Sequence, residues 1–561
     1  MSEPTDMTAV AMAGGAPASD ATAADDQPEK LESQTSQPDK SSLKESIISH
    51  NLERDHSDTR AKPFIWALAL TAALGGLIFG YDIGGAGATF VMDGFKYHFG
   101  WACAPDDYEC VPKSQRQIDI ETGLINGLFG TGAAFGALFA PLLFNNKGRK
   151  PTINFGAIAF TIGAALQAAA VSMPMLYIPR LLSGFGIGML SMCSPVYIAE
   201  CAPESHRGQL ATLWQLAITS GIVLVSILNI WLADWQEGWR ISYGGNIVFS
   251  LALVGLLTIM PESPHFLVSN ERFDDAREAL GKTRFEDQID WELDELKLEA
   301  KNAREEGVAN WGEVFDDTNK KMRTRVRTGV LLQSFQQLSG INAIMFYAPN
   351  ILQDFFGSKG SIYGTLALNI INFFATFITI FSIERCKFKF ADITSNFDVF
   401  FSHKSFSAVG RVFLLFTGGL VMLVALIPTA VLASVDSEEG SVQAIGIGVT
   451  VFCALYVIGF AYSWGPVVWV VCAEMFPMRE RGKATSLTTF SNWFWTCIVG
   501  AVFPIASTAS LAGCFGFFAA VVFVATTFVY LFLPETANLT APEIDEQYLT
   551  HKATVPRKKW N

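Results

Sequence analysis

Polar side chains interrupt a long apolar run in the second half of the sequence. The stretch QQLSGINAIMFYAP carries Gln336, Gln337, Asn342 and Tyr347 where lipid would otherwise surround the chain. Such side chains are costly inside a bilayer unless they face protein or a water-filled cavity. They cannot all share one face of an ideal helix, but Gly340 lies among them and permits local unwinding. The stretch therefore predicts a broken helix whose amides point towards one cavity.

These amides indicate a particular kind of ligand. An amide offers hydrogen-bond donors and acceptors without charge, which suits a neutral, hydroxyl-rich ligand better than an anion or a lipid. Further polar groups lie within apolar runs at Gln215, Asn372 and Asn492, and flat aromatic faces are supplied by Trp469 and Trp493. The alternative is structural, because amides also bind neighbouring helices and tryptophans also pack at the lipid interface. The residues alone leave both interpretations open.

Two opposite charges also lie within apolar runs. Asp82 stands about 19 residues into the first run, roughly 28 Å along a helix. Arg180 lies near the start of the fourth run, which returns from the opposite side, so both side chains fall in the predicted outer third of the membrane. Because each charge is costly in lipid alone, we expect the two to be partners. Separation from the arginine would favour the protonated carboxyl, so motion of the protein could load and release a proton; a static ion pair is the alternative.

The elements that must position these residues are membrane-spanning helices. Of 561 residues, 50% are hydrophobic and 17% are charged, and the mean hydropathy is +0.31. The apolar residues form blocks of about 20, the length of a helix that crosses a bilayer. We predict twelve spans, at 63–88, 120–144, 152–172, 176–200, 210–232, 242–260, 327–352, 361–384, 411–434, 443–470, 484–507 and 511–533. The net charge of -13 does not indicate a nucleic-acid partner, because the acidic residues lie mostly in tails and loops.

A polar stretch after the sixth span divides the chain into two halves. The predicted parts are a disordered cytosolic tail (1–62), a six-helix half (63–260), a cytosolic helical linker (261–326), a second six-helix half (327–533) and a cytosolic C-terminal tail (534–561). The first tail has almost no aromatic residues and cannot bury enough apolar area to order itself. Basic loops such as NNKGRK and MRERGK alternate along the chain. Because Lys and Arg favour the cytosolic side, we expect both termini and the linker in the cytosol.

The two halves repeat the same short motifs. YIAECAPESHRGQ (197–209) and VCAEMFPMRERGK (471–483) share the pattern A-E-x-x-P-x-x-x-R-G, and PES at 261–263 matches PET at 534–536. The members of each pair lie in matching places of the two halves. Two parallel six-span halves of this kind are typical of carriers whose halves rock about a binding site near the middle of the bilayer.

With these motifs the sequence resembles the sugar porter family of the major facilitator superfamily over residues 63–540. The resemblance rests on GGLIFGYD, NNKGRKP, PRLLSGFGIGM, YIAECAPESHRG, PESPHFL, QQLSGINAIMFY, GPVVW and PET. It implies an all-α membrane protein of twelve transmembrane helices in two six-helix pseudo-repeats. It also implies a carrier, not an enzyme, that moves a monosaccharide by alternating access, with a hexose such as glucose as the expected substrate. The resemblance implies no cofactor and no metal.

The resemblance assigns expected roles to three groups of residues. The expected sugar-binding residues are Gln215, Gln336, Gln337, Asn342, Asn372, Trp469 and Asn492. Asp82 and Arg180 match the pair that couples proton symport in some members, although uncoupled facilitators with the same acid also exist. The ion pairs that close the cytosolic side correspond to Arg149, Glu200, Arg207, Glu262, Glu474, Arg481 and Glu535. The expected partners are therefore a monosaccharide, a proton and the lipid bilayer.

The sequence departs from the family pattern at several charged positions. Asn146 stands where the family has an arginine before GRK, and His265 replaces the arginine of PESPR. The largest departure is residues 387–409, a phenylalanine-rich stretch that precedes Gly410 and interrupts a family motif. This stretch is either an intron that was retained in the predicted coding sequence or a genuine cytosolic insertion, and the former is slightly favoured. A genuine insertion is expected to break the ion pairs of the second half.

Three remaining expectations concern the cysteines, the membrane and an alternative function. Cys103 and Cys110 share a predicted outer loop and are the expected disulfide pair. The plasma membrane is the expected location, because the N-terminal tail lacks the composition of a transit peptide. A sugar sensor that does not transport would share the same scaffold, but it is less favoured because only a short tail follows the last span. The sequence does not indicate the oligomeric state.

Overall fold

The structure, a computed structural model, describes residues 61–104, 109–203, 206–305, 307, 310–318, 321–385, 410–435, 442–537, 539 and 541–550. Within these ranges every regular element is helical, which confirms the predicted all-α class. The predicted tail before residue 61 and the insert at 387–409 lie outside the described residues.

The helices of the first half follow the predicted spans closely. In chain order they are α1 (Phe64–Thr89), α2 (Asp93–His98), α3 (Gln115–Lys147), α4 (Arg149–Ala168), α5 (Met173–Cys201), α6 (Arg207–Leu232), α7 (Gly238–Gly244) and α8 (Asn246–Ile259). α3 begins at a capping box, in which Ser114 and Gln117 satisfy each other's backbone N–H groups. In the predicted outer loop, Cys103 and Cys110 are joined by the expected disulfide.

Four further helices connect the halves: α9 (Pro264–Ser269), α10 (Phe273–Thr283), α11 (Glu286–Glu305) and α12 (Trp311–Val314). Arg284, after α10, is buried, and its guanidinium binds Glu292 at 2.7 Å and the carbonyl of Cys201 at 2.9 Å. The Cys201 carbonyl is at the end of α5, where helical carbonyls lack partners within the helix. This contact therefore ties the connecting helices to the end of the fourth span.

The second half contains several long helices that are interrupted. In chain order they are α13 (Met322–Leu338), α14 (Ile341–Arg385), α15 (Arg411–Leu432), α16 (Val442–Gly459), a π-helix (Phe460–Trp464), α17 (Gly465–Glu474), α18 (Met478–Phe532) and α19 (Ala541–Thr550). α14 is interrupted at Gly357, which has φ +70°, and α18 is interrupted at Ser510, which has an extended backbone.

These helices account for the twelve predicted spans. Nine helices in the described ranges are long and apolar enough to cross a bilayer. The last of them continues to Phe532 and divides into two spans at Ser510. Two predicted spans remain. The span predicted at 152–172 corresponds to α4, and the span predicted at 327–352 corresponds to the helical segments on either side of Gly340.

Small residues let the helices of the first half approach closely. A Cβ added at Gly184 on α5 would meet the carbonyl of Phe129 on α3, and one added at Gly80 on α1 would meet the carbonyl of Ile218 on α6. Lipid supplies no hydrophobic drive for helices to associate, so close backbone packing of this kind replaces it.

The predicted break in the seventh span is confirmed at Gly340. α13 ends at Leu338, Gly340 has φ +98°, and α14 begins at Ile341. Glycine populates positive φ without strain, whereas a Cβ makes this conformation costly. The ring of Phe518 also fills the space beside the glycine, so that an added Cβ would lie 2.5 Å from Phe518 Cδ2.

We expect Gly340→Ala to destabilise the protein by about 2 kcal/mol, because positive φ and overpacking both oppose the added methyl group. Thermal unfolding in detergent measures this loss. Gly255→Ala is the matched control, since Gly255 lies in α8 and an added Cβ meets nothing within 4 Å. Equal melting temperatures for the two variants would contradict the prediction.

Candidate functional site

A network of hydrogen-bonded amides surrounds the break in the seventh span. Gln336 Nε2 donates to the carbonyl oxygens of Trp464 at 2.6 Å and Gly465 at 3.0 Å. Both carbonyls lie at the end of the π-helix, and single π-helical turns within α-helices are frequent at functional sites. Gln337 Nε2 donates in turn to Gln336 Oε1 at 3.2 Å. The two glutamines therefore connect the broken helix to the tenth span.

Two asparagines extend the amide network. Asn342 follows the break, and its Nδ2 donates to Gln337 Oε1 at 2.5 Å. Asn492 lies on α18, and its Nδ2 donates to Gln336 Oε1 at 2.7 Å. All four amides are buried. The structure thus brings together four of the seven predicted sugar-binding residues.

Two members of the network were not predicted from the sequence. Gln333 Oε1 accepts from Asn492 Nδ2 at 2.5 Å, and Thr496 Oγ1 accepts from Asn342 Nδ2 at 3.1 Å. Gln333 precedes Gln336 by almost one helical turn and so shares its face. This i, i+3 spacing was the signal that could have identified it.

The other three predicted residues lie outside these hydrogen bonds. Gln215 is buried on α6, and its side-chain amide lies beside Gly465, so that a Cβ added to this glycine would be 3.3 Å from Gln215 Nε2. Asn372 Nδ2 contacts Met345 Sδ at 3.8 Å, and its buried Oδ1 has no hydrogen-bond partner. Trp469 is half-buried on α17.

Trp493 packs between the two halves, which excludes the lipid-interface alternative for this residue. Its indole Nε1 donates to Ser191 Oγ at 2.9 Å, which links α18 to α5. Its ring packs edge-on against Phe79 and Phe129, with centroids 5.0 Å and 5.8 Å away. Trp493 is fully buried between the two halves, so it is neither lipid-facing nor part of an interfacial belt.

Asp82 and Arg180 form the ion pair that the sequence predicts. Arg180 NH1 lies 2.7 Å from Asp82 Oδ2, and both side chains are buried. The same nitrogen donates to Gln167 Oε1 at 3.2 Å, and Arg180 Nε donates to the carbonyl of Ile125 at 3.4 Å. The guanidinium also lies 4.8 Å from the ring centroid of Phe129. Removing one partner of such a buried pair is strongly destabilising, because the other charge loses its compensation.

A second set of charges holds the end of α5 against the start of α4; we name it the first-half end cluster (Arg149, Glu200, Glu262 and Ser263). Arg149 binds Glu200 through two parallel hydrogen bonds of 2.6 Å, a strong bidentate geometry. Ser263 Oγ donates to Glu200 Oε2 at 2.5 Å. Glu262 accepts from the backbone N–H of Arg149 at 3.0 Å, where a helix dipole favours a carboxylate. Burial raises the pKa of Glu262 above its ordinary value, although backbone N–H donors oppose this.

The second half repeats this arrangement in the second-half end cluster (Arg411, Glu474, Glu535 and Thr536). Arg411 NH2 lies 3.0 Å from Glu474 Oε1, and Thr536 Oγ1 donates to Glu474 Oε2 at 2.7 Å. Glu535 accepts from the backbone N–H of Arg411 at 2.8 Å. Each residue occupies the place of its counterpart in the first half.

The expectation that the insert breaks the second-half ion pairs is wrong. Gly410 and Arg411 follow the insert directly and still begin α15 in contact with Glu535 and Glu474. The reason is that the cluster forms between residues after the insert and residues far along the chain, so the length of the preceding segment does not set its geometry. Arg411 was missing from the predicted cytosolic group, although Gly410-Arg411 repeats Gly148-Arg149 in sequence.

Deleting residues 387–409 is therefore expected to change the rate of the predicted sugar uptake by less than about two-fold, because the second-half end cluster is built from residues that follow this segment and the cost of a connection grows slowly with its length. The measurement is uptake per molecule of protein at the cell surface. A deletion of 387–411 is the matched control, because it also removes Arg411 and should abolish uptake. Loss of uptake in the shorter deletion would show that the insert has a role of its own.

The two remaining arginines of the predicted cytosolic group are Arg207 and Arg481. Arg481 Nε donates to the carbonyl of Phe476 at 3.3 Å, near the start of α18. The side chain of Arg207 lies outside the described residues.

Comparisons with known proteins agree with this fold. The family described as "Sugar (and other) transporter" matches residues 68–389 and 393–548. Sugar transport protein 12 of Arabidopsis thaliana is 33% identical over 502 residues, 87% of this chain and 92% of the relative. H(+)/hexose cotransporter 2 of Parachlorella kessleri is 30% identical over 501 residues, 87% of each chain.

Solved structures share the fold. The proton:xylose symporter XylE bound to 6-bromo-6-deoxy-D-glucose has a TM-score of 0.71 at 25% identity, covering 86% of this chain and 99% of that one. The partially occluded inward-open form of XylE from E. coli has a TM-score of 0.66 at 25% identity, covering 85% and 99%. The class is therefore an integral, multi-pass membrane transporter of the major facilitator superfamily, and its members are not enzymes. The chain belongs to the sugar transporter family and is a sugar transporter.

Proposed function

We propose that this transporter carries a hexose such as glucose together with a proton, by alternating access. The observation that carries the proposal is the buried amide network around Gly340, since uncharged donors and acceptors suit sugar hydroxyls. The buried, unpartnered Oδ1 of Asn372 adds an acceptor that a hydroxyl would satisfy. The names of two relatives, H(+)/hexose cotransporters 1 and 2 of Parachlorella kessleri, support both the hexose and the proton.

Sugar binding would proceed by exchange of hydrogen bonds. The amides of Gln336, Gln337 and Asn342 already bind one another, so they are oriented before the sugar arrives. A hydroxyl that replaces an amide partner forms a bond of similar strength, and the net gain is about 1 kcal/mol for each bond. Trp469 would supply the aromatic face for the sugar ring.

Asp82 is the proposed proton carrier. Its carboxylate lies 2.7 Å from Arg180 in a buried site, where the arginine stabilises the ionised form. A proton that binds the carboxylate removes this attraction and frees the two helices to separate. Release of the proton on the opposite side restores the pair.

Alternating access requires the halves to move as bodies, which we propose for 63–260 and 327–533. The two end clusters would hold the predicted cytosolic ends of each half together while the outer side is open. Single ion pairs near a surface are weak, but a modest bias is enough to shift a two-state equilibrium. The proposed location is the plasma membrane, with both termini in the cytosol.

Uptake of labelled glucose tests the proposal, in cells that lack their own sugar carriers, with and without a protonophore. Uptake that collapses with the protonophore is the expected result. Uptake that ignores the protonophore would indicate an uncoupled uniporter, in which Asp82 and Arg180 form a static pair. Competition by unlabelled hexoses, pentoses and polyols identifies the preferred sugar. If a protein confirmed at the cell surface took up no sugar at all, the proposal would fail and a sensor would be the better interpretation.

A further inference from the structure

Asn126 connects the buried ion pair to the second half by hydrogen bonds. Arg180 NH2 donates to Asn126 Oδ1 at 3.5 Å, and Asn126 Nδ2 donates to the hydroxyl of Tyr347 at 2.9 Å. Tyr347 donates onward to the carbonyl of Gly500 at 2.6 Å. These contacts join α5 and α3 of the first half to α14 and α18 of the second.

Asn126 can make this connection because its side-chain amide carries both a hydrogen-bond acceptor and a hydrogen-bond donor. The oxygen accepts from the arginine, while the nitrogen donates to the tyrosine hydroxyl. Asn126 is fully buried and Tyr347 is 3% exposed, so water does not replace a lost partner at low cost. A leucine of similar size fills the same space but makes neither bond, and an aspartate accepts from the arginine but cannot donate to the tyrosine.

The position of Tyr347 gives the connection a consequence for access to the sugar site. Tyr347 lies on the segment of the broken helix that follows Gly340, the same segment that carries Asn342. Next to it, the carbonyl of Phe346 packs directly against Gly87 on α1. This segment, 341–356, therefore lies against the first half on the predicted outer side.

We propose that Asn126 is a positioning residue that links the charge state of the Asp82–Arg180 pair to the position of segment 341–356. When Asp82 is ionised, it holds the guanidinium and the bond from Arg180 to Asn126 is long. When Asp82 takes up a proton, its attraction for Arg180 falls, and the guanidinium must be satisfied by its remaining acceptors. Of these acceptors, Asn126 is the one that reaches Tyr347.

Protonation would thus strengthen the contact between Arg180 and Asn126, which orients the amide nitrogen towards Tyr347. Segment 341–356 would then be held against the first half, and the outer side would close when Asp82 is protonated. This inference rests on the proposed proton symport. It adds to that proposal the residue through which the proton site acts on the outer side.

Other titratable groups face this set from several helices. Tyr243 on α7 lies with its ring centroid 5.5 Å from the guanidinium of Arg180, and Asp119 on α3 interacts electrostatically with Tyr347. Asp119 accepts from Gln115 at 2.7 Å and from Thr508 at 3.0 Å. Among the described groups that contact Arg180, Asp82 supplies the carboxyl group.

The test compares Asn126→Leu and Tyr347→Phe with the wild type in proteoliposomes. The two readouts are the KM for glucose as a function of pH and the number of protons taken up for each sugar. We expect each variant to raise KM about tenfold at low pH, where the wild type binds best, and to flatten the pH profile. The double variant should be no worse than Asn126→Leu alone, because both changes break the same connection.

Asn369→Leu is the matched control. Asn369 is also a buried asparagine between the halves, and its Nδ2 donates to Ser226 Oγ at 2.8 Å, but it does not contact the ion pair. It is expected to leave the pH profile unchanged. Tyr347→Phe removes a single oxygen, so it carries the test even if Asn126→Leu does not fold.

The inference would be overturned by a wild-type pH profile and proton count in Tyr347→Phe, or by strictly additive effects in the double variant. Flattening of the profile by Asn369→Leu would also overturn it, because the effect would then come from general loosening of the interface. A wild type that transports glucose without protons would instead refute the proposed symport, and the inference with it. The wild-type measurement therefore separates the two failures.

Discussion

Replacing Asp82 by asparagine is expected to abolish accumulation of sugar against a gradient. A proton that moves through a potential of 100 mV supplies about 2.3 kcal/mol, enough for roughly 50-fold accumulation at equilibrium. The amide of the Asp82→Asn variant would still accept a hydrogen bond from Arg180 but could not take up a proton. The variant should therefore only equalise the sugar concentration across the membrane. The measurement is steady-state uptake of a non-metabolised glucose analogue in energised cells.

Asp119→Asn is the matched control for this experiment. Asp119 is also a buried carboxylate within a span, but its partners are Gln115 and Thr508. The Asp119→Asn variant should accumulate sugar to the same level as the wild type. Exchange of labelled for unlabelled sugar, which needs no net proton movement, should continue in Asp82→Asn and shows that the variant is folded. Full accumulation by Asp82→Asn would assign the proton to another group and leave the Asp82–Arg180 pair with a structural role.

Replacing Gln336 by alanine is expected to produce the largest loss of sugar affinity. Gln336 binds two backbone carbonyls and accepts from Gln337 and Asn492, so its removal leaves buried donors and acceptors unsatisfied. Each unsatisfied group costs about 1–3 kcal/mol, and the sugar would meet a disordered set of amides. We expect KM for glucose to rise about 100-fold, with the number of molecules at the surface unchanged.

Ser334→Ala is the control for the Gln336 variant. Ser334 lies on the same helix, but its hydroxyl binds the carbonyl of Val330 and the hydroxyl of Ser491. It should leave KM within about two-fold of the wild type. A lower melting temperature with an unchanged KM in Gln336→Ala would support the other interpretation of these amides, as structural contacts between helices.

Local patterns predicted the spans and the break. The lengths of the apolar runs identified the twelve helices, because a helix must cover the hydrocarbon core with apolar side chains. Gly340 among polar residues identified the interruption of the seventh span. Two opposite charges at the same predicted depth identified Asp82 and Arg180 as partners, since neither is tolerated alone.

Several residues of the site could not be identified from a local sequence pattern. Asn126 and Thr496 are ordinary polar residues in apolar helices, and their partners Tyr347 and Asn342 each lie more than a hundred positions away in the chain. Arg411 was left out for a different reason, because the insert before it was expected to break the ion pairs of the second half. The structure shows that Arg411 still reaches Glu474.

The order of the residues was enough to predict which segments enter the membrane, where the seventh span breaks and which charges need a partner. These properties depend on the cost of transferring each side chain into lipid, and that cost is set locally. The packing of the helices was needed to show which amides meet one another, that Trp493 packs between the halves and that Asn126 joins the ion pair to the broken helix. Those contacts depend on how the helices rotate and cross, and hydropathy is almost the same for every rotation of a helix that is apolar all round.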